Sequence, residues 1–208
     1  MGEFPDFQYE QAAMEDGALR VVGVDEVGRG PLCGPVTAAA VWLDPQHLPE
    51  GLRDSKRVSA RARASLLTRI ERHADFGVGH ASPAEIDALN ILQATFLAMR
   101  RAIAALSVPP DYVLIDGNRL PSDLPCPAEA VVKGDGRSVS IAAASIIAKT
   151  TRDAIMADLA LKYPGYGWDR NAGYPTMCHL NAIAKLGPTP EHRRSFKPIR
   201  KILCPDST

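Results

Sequence analysis

The chain predicts an α/β domain: a mixed β-sheet flanked by helices and followed by a helical C-terminal region. Three observations carry that reading. Short runs at residues 19–24, 36–43, 76–80, 112–115 and 128–132 have strand length and are set off by Gly, Pro and Asp. Longer segments with helical spacing lie between and after them. The early strands come in succession and the later ones alternate with helix, the order of a mixed sheet.

In chain order, residues 1–18 mix acids, Gly and Pro without periodicity and read as a flexible, dispensable extension, although Phe4, Phe7 and Tyr9 offer packing groups. The first two strands are joined by a turn that holds Gly28, Gly30, Pro31, Gly34 and Pro35. Residues 59–73 form an amphipathic helix and 76–80 a strand. Ser82-Pro83-Ala84-Glu85 then has capping-box spacing with Pro at the first helical position, opening helix that runs to about Leu106, before Pro109-Pro110. The strand at 112–115 ends in Asp116-Gly117, and the strand at 128–132 ends in Lys133-Gly134-Asp135. A long Ala/Ile-rich helix spans 140–161. The aromatic, Gly-rich stretch 163–174 leads to a helix at 176–186 and a basic tail. No repeat or linker divides the chain, so residues 19–201 are expected to form one catalytic domain, with its helical region from about 163 and a short tail at 202–208.

The 208 residues are 46% hydrophobic and 23% charged, the mix of a globular protein long enough to bury a sizeable core. No apolar run approaches the about 18 residues of a membrane span. Five acids precede the first base, Arg20, which is unlike a secretory leader, and a cytoplasmic protein is expected. Cys33, Cys126, Cys178 and Cys204 never form a C-x-x-C pair, so reduced, partly buried thiols are expected. The five histidines show no ligand-pair spacing and are read as structural or surface groups.

Net charge is zero, but the bases are clustered. Residues 53–73 carry seven bases against two acids, and residues 185–201 carry six against Glu191 alone. Such clusters fit either a localised phosphate-binding face or ordinary solvated helix faces.

The acids carry the chemistry. Asp25 and Glu26 follow the apolar run Val21-Val22-Gly23-Val24, where ionised groups are costly unless something cationic compensates them. Successive side chains point to opposite faces of a regular strand, so both serve one centre only if the strand ends or twists there. Asp116 and Asp135 add carboxylates at two later strand ends, where sites gather in open α/β sheets. Four such groups held close together repel at neutral pH, and divalent cations relieve the conflict. Oxygen ligands without His or Cys select Mg²⁺ or Mn²⁺. That donor set suits phosphoryl chemistry with two ions about 3.5–4 Å apart. Taken singly, each Asp at a strand end also reads as a turn or helix cap.

Six motifs then stand in order along the chain: Gly23-Val24-Asp25-Glu26-Val27-Gly28-Arg29-Gly30-Pro31, Asp54-Ser55-Lys56, Ile115-Asp116-Gly117-Asn118, Val132-Lys133-Gly134-Asp135, Ala143-Ala144-Ser145-Ile146-Ile147-Ala148-Lys149 with Thr151-Arg152-Asp153, and Gly173-Tyr174-Pro175-Thr176. Together they closely resemble bacterial ribonuclease HII across roughly residues 20–200. The resemblance implies a ribonuclease H-like fold and an endonuclease that cuts the RNA strand of RNA–DNA hybrids and incises at single ribonucleotides in duplex DNA. The products would carry 5′-phosphate and 3′-hydroxyl ends, and the resemblance also implies a place in ribonucleotide excision repair and DNA replication.

By the same matching, Asp25, Glu26, Asp116 and Asp135 take the catalytic metal positions, and Gly28, Arg29 and Gly30 take the motif that contacts the ribonucleotide 2′-hydroxyl. Glycines there let main-chain groups approach a sugar closely. Tyr174 matches the tyrosine that packs on the following deoxyribose; a core tyrosine is the alternative. Lys56, Ser145 and Lys149 lie in matching motifs as phosphate contacts, or else serve surface and helix-packing roles. A monomer with no organic cofactor is expected. Two other classes fit the sequence less well. A catalytically silent hybrid-binding protein gains nothing from four acids facing phosphate. A P-loop enzyme needs Lys-Ser/Thr after its second glycine, where this chain has Arg29-Gly30.

Overall fold

The structure is a computed structural model that describes residues 4–52, 55 and 58–204. At its centre, β1 (Val21–Val27) pairs antiparallel with β2 (Val36–Leu43) and parallel with β4 (Tyr112–Asp116). Beyond β2 lies antiparallel β3 (Ala74–Ala81), and beyond β4 lies parallel β5 (Ala128–Val131), giving the order β3-β2-β1-β4-β5. The mixed sheet flanked by helices agrees with the sequence expectation.

β2 shows why its sequence is apolar at nearly every position. Val36, Ala38 and Ala40 face a core completed by Ala98, Met99 and Ala102 of α4 (Ile91–Ala104). The alternate residues Ala39, Val41 and Leu43 face α5 (Val139–Lys162) through Ala142, Ala143 and Ile146, with α2 (Ala60–His73) adding Leu66 and Ile70. A strand covered on both faces has no solvent side on which to place polar residues. The first turn of α5 lies so close to β1 that a Cβ on Gly23 would come within 2.2 Å of the Ser140 backbone.

A third cluster (Leu32, Cys33, Met156, Trp168, Ile183 and Ile199) joins the β1–β2 loop and α5 to α6 (Trp168–Asn171), α7 (Met177–Leu186) and α8 (Lys197–Leu203). This is the expected helical C-terminal region. Its last helix occupies what reads in sequence as basic tail and has a proline in its first turn.

Two expectations are corrected. The helix opened by the Ser82 capping box ends as α3 (Pro83–Leu89) and does not run on to Leu106. Asn90 adopts a left-handed φ of 72° and its side chain caps α4, accepting from the Leu92 and Gln93 amides. Asn is among the few residues that fill both roles. The N-terminal stretch is also more than a loose extension: residues 8–15 form α1 (Gln8–Glu15), which packs through Tyr9 and Ala13 on Val21, Leu114 and Ile141. No helix among the described residues is long and apolar enough to cross a membrane.

Candidate active site

β1 and β4 run parallel, so their C-terminal ends meet at one edge of the sheet, and each ends in acid. Asp25 is opposite Ala39 on the α5 side of the sheet, and Asp116 projects to the same side as Leu114, two residues before it. Asp135 comes from a 3₁₀ turn, Gly134–Gly136, between β5 and α5. Ligand oxygens of Asp25, Asp116 and Asp135 all lie within 4.8 Å of one another. Glu26, opposite Ala38, belongs to the α4 side. It lines a cavity of about 170 Å³ with Arg29, Thr95, Phe96, Asp116 and Asn118. The structure therefore brings three of the four acids into one group and sets Glu26 beside it, around the end of β1.

Two contacts brace the group. The Gly134 amide donates to Asp116 Oδ1 at 2.7 Å, and the Glu26 amide donates to Asp25 Oδ1 at 2.7 Å. Asp25 is 7% exposed. Burial, and then the charges of Glu26, Asp116 and Asp135, hold its carboxyl well above the usual carboxylate range, and the Glu26 amide offsets only part of this. Acids that resist ionising together, offering hard oxygen atoms without His or Cys among them, fit a divalent cation of the Mg²⁺ or Mn²⁺ kind.

Beside the acids lies the loop 28–35. Gly28 has φ +93°, and a Cβ there would meet Arg152 Nε at 2.2 Å. The place for a Cβ on Gly30 faces the Tyr174 ring, 3.4 Å from Cε1. Tyr174 is 45% exposed, so the core alternative does not hold. Arg29, half exposed, approaches Glu26 Oε1 with Nη1 at 3.3 Å.

Two residues that hold this loop carry little functional signal in the sequence. Arg193, in the basic C-terminal segment, is fully buried; it donates to the carbonyls of Gly28 (2.6 Å), Arg29 (2.9 Å) and Gly34. Arg152, also buried, donates to the carbonyls of Cys33, Pro35 and Ala172, the last of these two residues before Tyr174. Among the described residues neither charge has a carboxylate at hydrogen-bond distance; carbonyl dipoles face both guanidinium forks. The only sequence signal was the place of Arg152 inside a motif. Nothing near Arg193 in the chain marks it as buried.

Of the phosphate-contact candidates, Lys56 lies outside the described residues. Ser145 is buried, and its hydroxyl accepts from the Ser55 amide at 3.1 Å. Lys149, one turn further along α5, pairs with Asp153 at 2.5 Å.

Cys33, His179 and His192 also bring ligand atoms within 4.8 Å of one another. Here protein donors already use the ring nitrogens: Trp168 Nε1–H donates to His179 Nε2 at 2.9 Å, and the Thr189 amide donates to His192 Nδ1 at 2.9 Å. His192 Nε2 is then left to donate to His179. Burial, and then His179, lower His192 to about 4, while burial pushes Cys33 up to about 12. This is a neutral, hydrogen-bonded core cluster, in keeping with the structural reading of the histidines.

A mixed sheet whose parallel strands end in a tight group of carboxylates, on a ribonuclease H-like fold, defines a metal-dependent nuclease. The ribonuclease HII family model matches residues 22–199. The ribonuclease HII of Ruegeria sp. (strain TM1040) is 62% identical over 201 residues, covering 97% of this chain and 88% of that protein. That of Paracoccus denitrificans (strain Pd 1222) is 59% identical over 205 residues, covering 99% and 98%. Among solved structures, the ribonuclease H2 of Pyrococcus horikoshii OT3 superposes with a TM-score of 0.71 at 28% identity, covering 88% of this chain and 97% of that one. The chain belongs to the ribonuclease HII family. It is an endoribonuclease acting on RNA–DNA hybrids.

Proposed function

We propose that this endoribonuclease incises at single ribonucleotides embedded in duplex DNA as well as in longer hybrids, leaving 5′-phosphate and 3′-hydroxyl ends. Asp25, Glu26, Asp116 and Asp135 would hold two divalent cations, Mg²⁺ or Mn²⁺. The observation that carries this reading is the convergence of Asp25, Asp116 and Asp135 within 4.8 Å of one another. When bound, the cations supply charge neutralisation at the phosphate and lower the pKa of an attacking water.

The protein's own groups do the rest. Asp25 and Asp116 are pre-set by amide donors, so little reorganisation is needed on loading. Gly28, Arg29 and Gly30 present main chain and a guanidinium beside the acids, which suits recognition of a 2′-hydroxyl and its flanking phosphate. The exposed ring of Tyr174, facing Gly30, suits packing on the next sugar and so reads the RNA-to-DNA junction. Lys149 and Lys56 are assigned to backbone phosphates, and Ser145 to the same strip of α5. The acids and the Gly30–Tyr174 pair come from one chain, which supports action as a monomer. We place the enzyme in the cytoplasm, in ribonucleotide excision repair and DNA replication.

The test is cleavage of a duplex carrying one ribonucleotide, with the cut mapped in Mg²⁺ and in Mn²⁺. One cut at the ribonucleotide, abolished by chelator, is expected. Cleavage of continuous hybrid with no cut at the single ribonucleotide would overturn the substrate assignment.

A further inference from the structure

Glu10 is 1% exposed, although its helix α1 lies near the chain terminus. Burying a carboxylate is costly unless good donors replace water. Here Oε1 accepts from Ser138 Oγ (2.5 Å), Ser140 Oγ (2.5 Å) and the Ser140 amide (2.9 Å), while Oε2 is buried with no hydrogen-bond partner among the described residues, so the carboxyl is held through one oxygen. The backbone beside it joins in. The Asp6 amide donates to the Arg137 carbonyl at 3.1 Å, and the Val139 amide donates to the Asp6 carbonyl at 3.0 Å. Residues 6–10 thus clamp residues 137–140, the segment that leads from the Asp135 turn into α5.

The turn is pinned at its other end by the Gly134 amide on Asp116. Immediately before that pin, Lys133 holds a left-handed φ of 57°. A non-glycine residue keeps that conformation only where the surroundings over-determine it. The Asp116 contact on the next residue supplies that constraint, and the Glu10 clamp holds the far side of the turn.

We propose that Glu10 is a positioning residue for Asp135: by clamping Ser138 and Ser140 it holds the turn at the place where the Asp135 carboxylate joins Asp25 and Asp116. This rests on the assignment of Asp135 as a cation ligand made above.

The experiment is titration of Mn²⁺ into the full-length, substrate-free protein, followed by electron paramagnetic resonance, with thermal unfolding in parallel. Glu10→Ala should weaken Mn²⁺ binding by about 10-fold, the lower end of what loss of a ligand-orienting group costs. Glu10→Gln, which keeps an acceptor oxygen, should recover part of the loss. Added to Asp135→Ala, Glu10→Ala should weaken binding no further. A Glu10→Ala protein that melts earlier yet binds Mn²⁺ like the wild type, or a double variant whose losses add in full, overturns the proposal. If Glu10→Ala does not fold, Glu10→Gln and Ser140→Ala are read in the same way. If Asp135→Ala itself leaves Mn²⁺ binding unchanged, the ligand assignment fails and the role of Glu10 falls with it. If Asp135→Ala weakens binding and Glu10→Ala does not, only the role of Glu10 falls.

Discussion

Arg193 Nη2 donates to the Gly28 carbonyl at 2.6 Å, so a guanidinium bonded to main-chain carbonyls holds the turn that follows the paired acids of β1. Its other contacts, to the Arg29 and Gly34 carbonyls, fix both ends of the loop 28–34 by charge-assisted hydrogen bonds. Arg193→Lys keeps the charge but loses the planar fork. It should lower stability by about 3 kcal/mol, since more than one hydrogen bond to a charged group is lost. Urea unfolding checks this, and an unchanged midpoint would show that the contacts contribute nothing.

Asp25→Asn removes the most strained charge of the acid group while keeping its shape. In chelator, the variant should melt at or above the wild-type temperature, because the charges of Glu26, Asp116 and Asp135 no longer oppose a buried carboxylate. Cleavage should fall by at least about 10²-fold, the rate equivalent of a few kcal/mol of charge stabilisation. Saturating Mg²⁺ should stabilise the wild type by up to about 2.7 kcal/mol at a hundredfold excess over its dissociation constant, and the variant by much less. Calorimetric melts with and without Mg²⁺ measure both.

Tyr174→Ala should cost roughly 1–3 kcal/mol on substrates that contain an RNA-to-DNA junction if ring packing on the nucleic acid dominates. Because the ring is exposed, thermal unfolding should be unchanged, and melts run beside the kinetics check this. Equal losses on all-RNA hybrid and on single-ribonucleotide duplex would instead mark a folding role.

The His179–His192 cluster makes stability depend on pH. His192 titrates at about 4 in the folded protein against its ordinary 6.5, with burial and then His179 as causes. A histidine with a depressed folded pKa takes up its proton more readily when unfolded. Its contribution is therefore fully present above pH 6.5 and is lost as the pH falls to about 4. The loss should approach about 3 kcal/mol, as an order of magnitude. Urea unfolding at a series of pH values should show a slope in that window that His192→Gln flattens.

Much of the site was legible from the chain alone. Acids at the ends of apolar runs, glycines in the turn after β1 and the order of strands are local patterns, set by which neighbours a residue has within a turn or a pleat. Those patterns pick out Asp25, Glu26, Asp116 and Asp135 as candidates, of which the fold draws Asp25, Asp116 and Asp135 into one group. The capping box at Ser82 was equally plain, whereas the break at Asn90 was not: the flanking residues read as one continuous helix, and only the packing of two helices in different directions makes a left-handed residue there worthwhile.

What the sequence by itself determined is the kind of chemistry: oxygen ligands without nitrogen or sulfur, and a glycine-rich loop beside them. What only the tertiary structure decided is which charges leave the solvent. Arg193 reads as one more base in a basic tail, and Glu10 as one more acid in an acidic extension. Whether a charge can be buried depends on donors and acceptors delivered by remote segments, here the carbonyls of Gly28 and Gly34 and the hydroxyls of Ser138 and Ser140. No local pattern encodes that supply, because it exists only once the chain has folded.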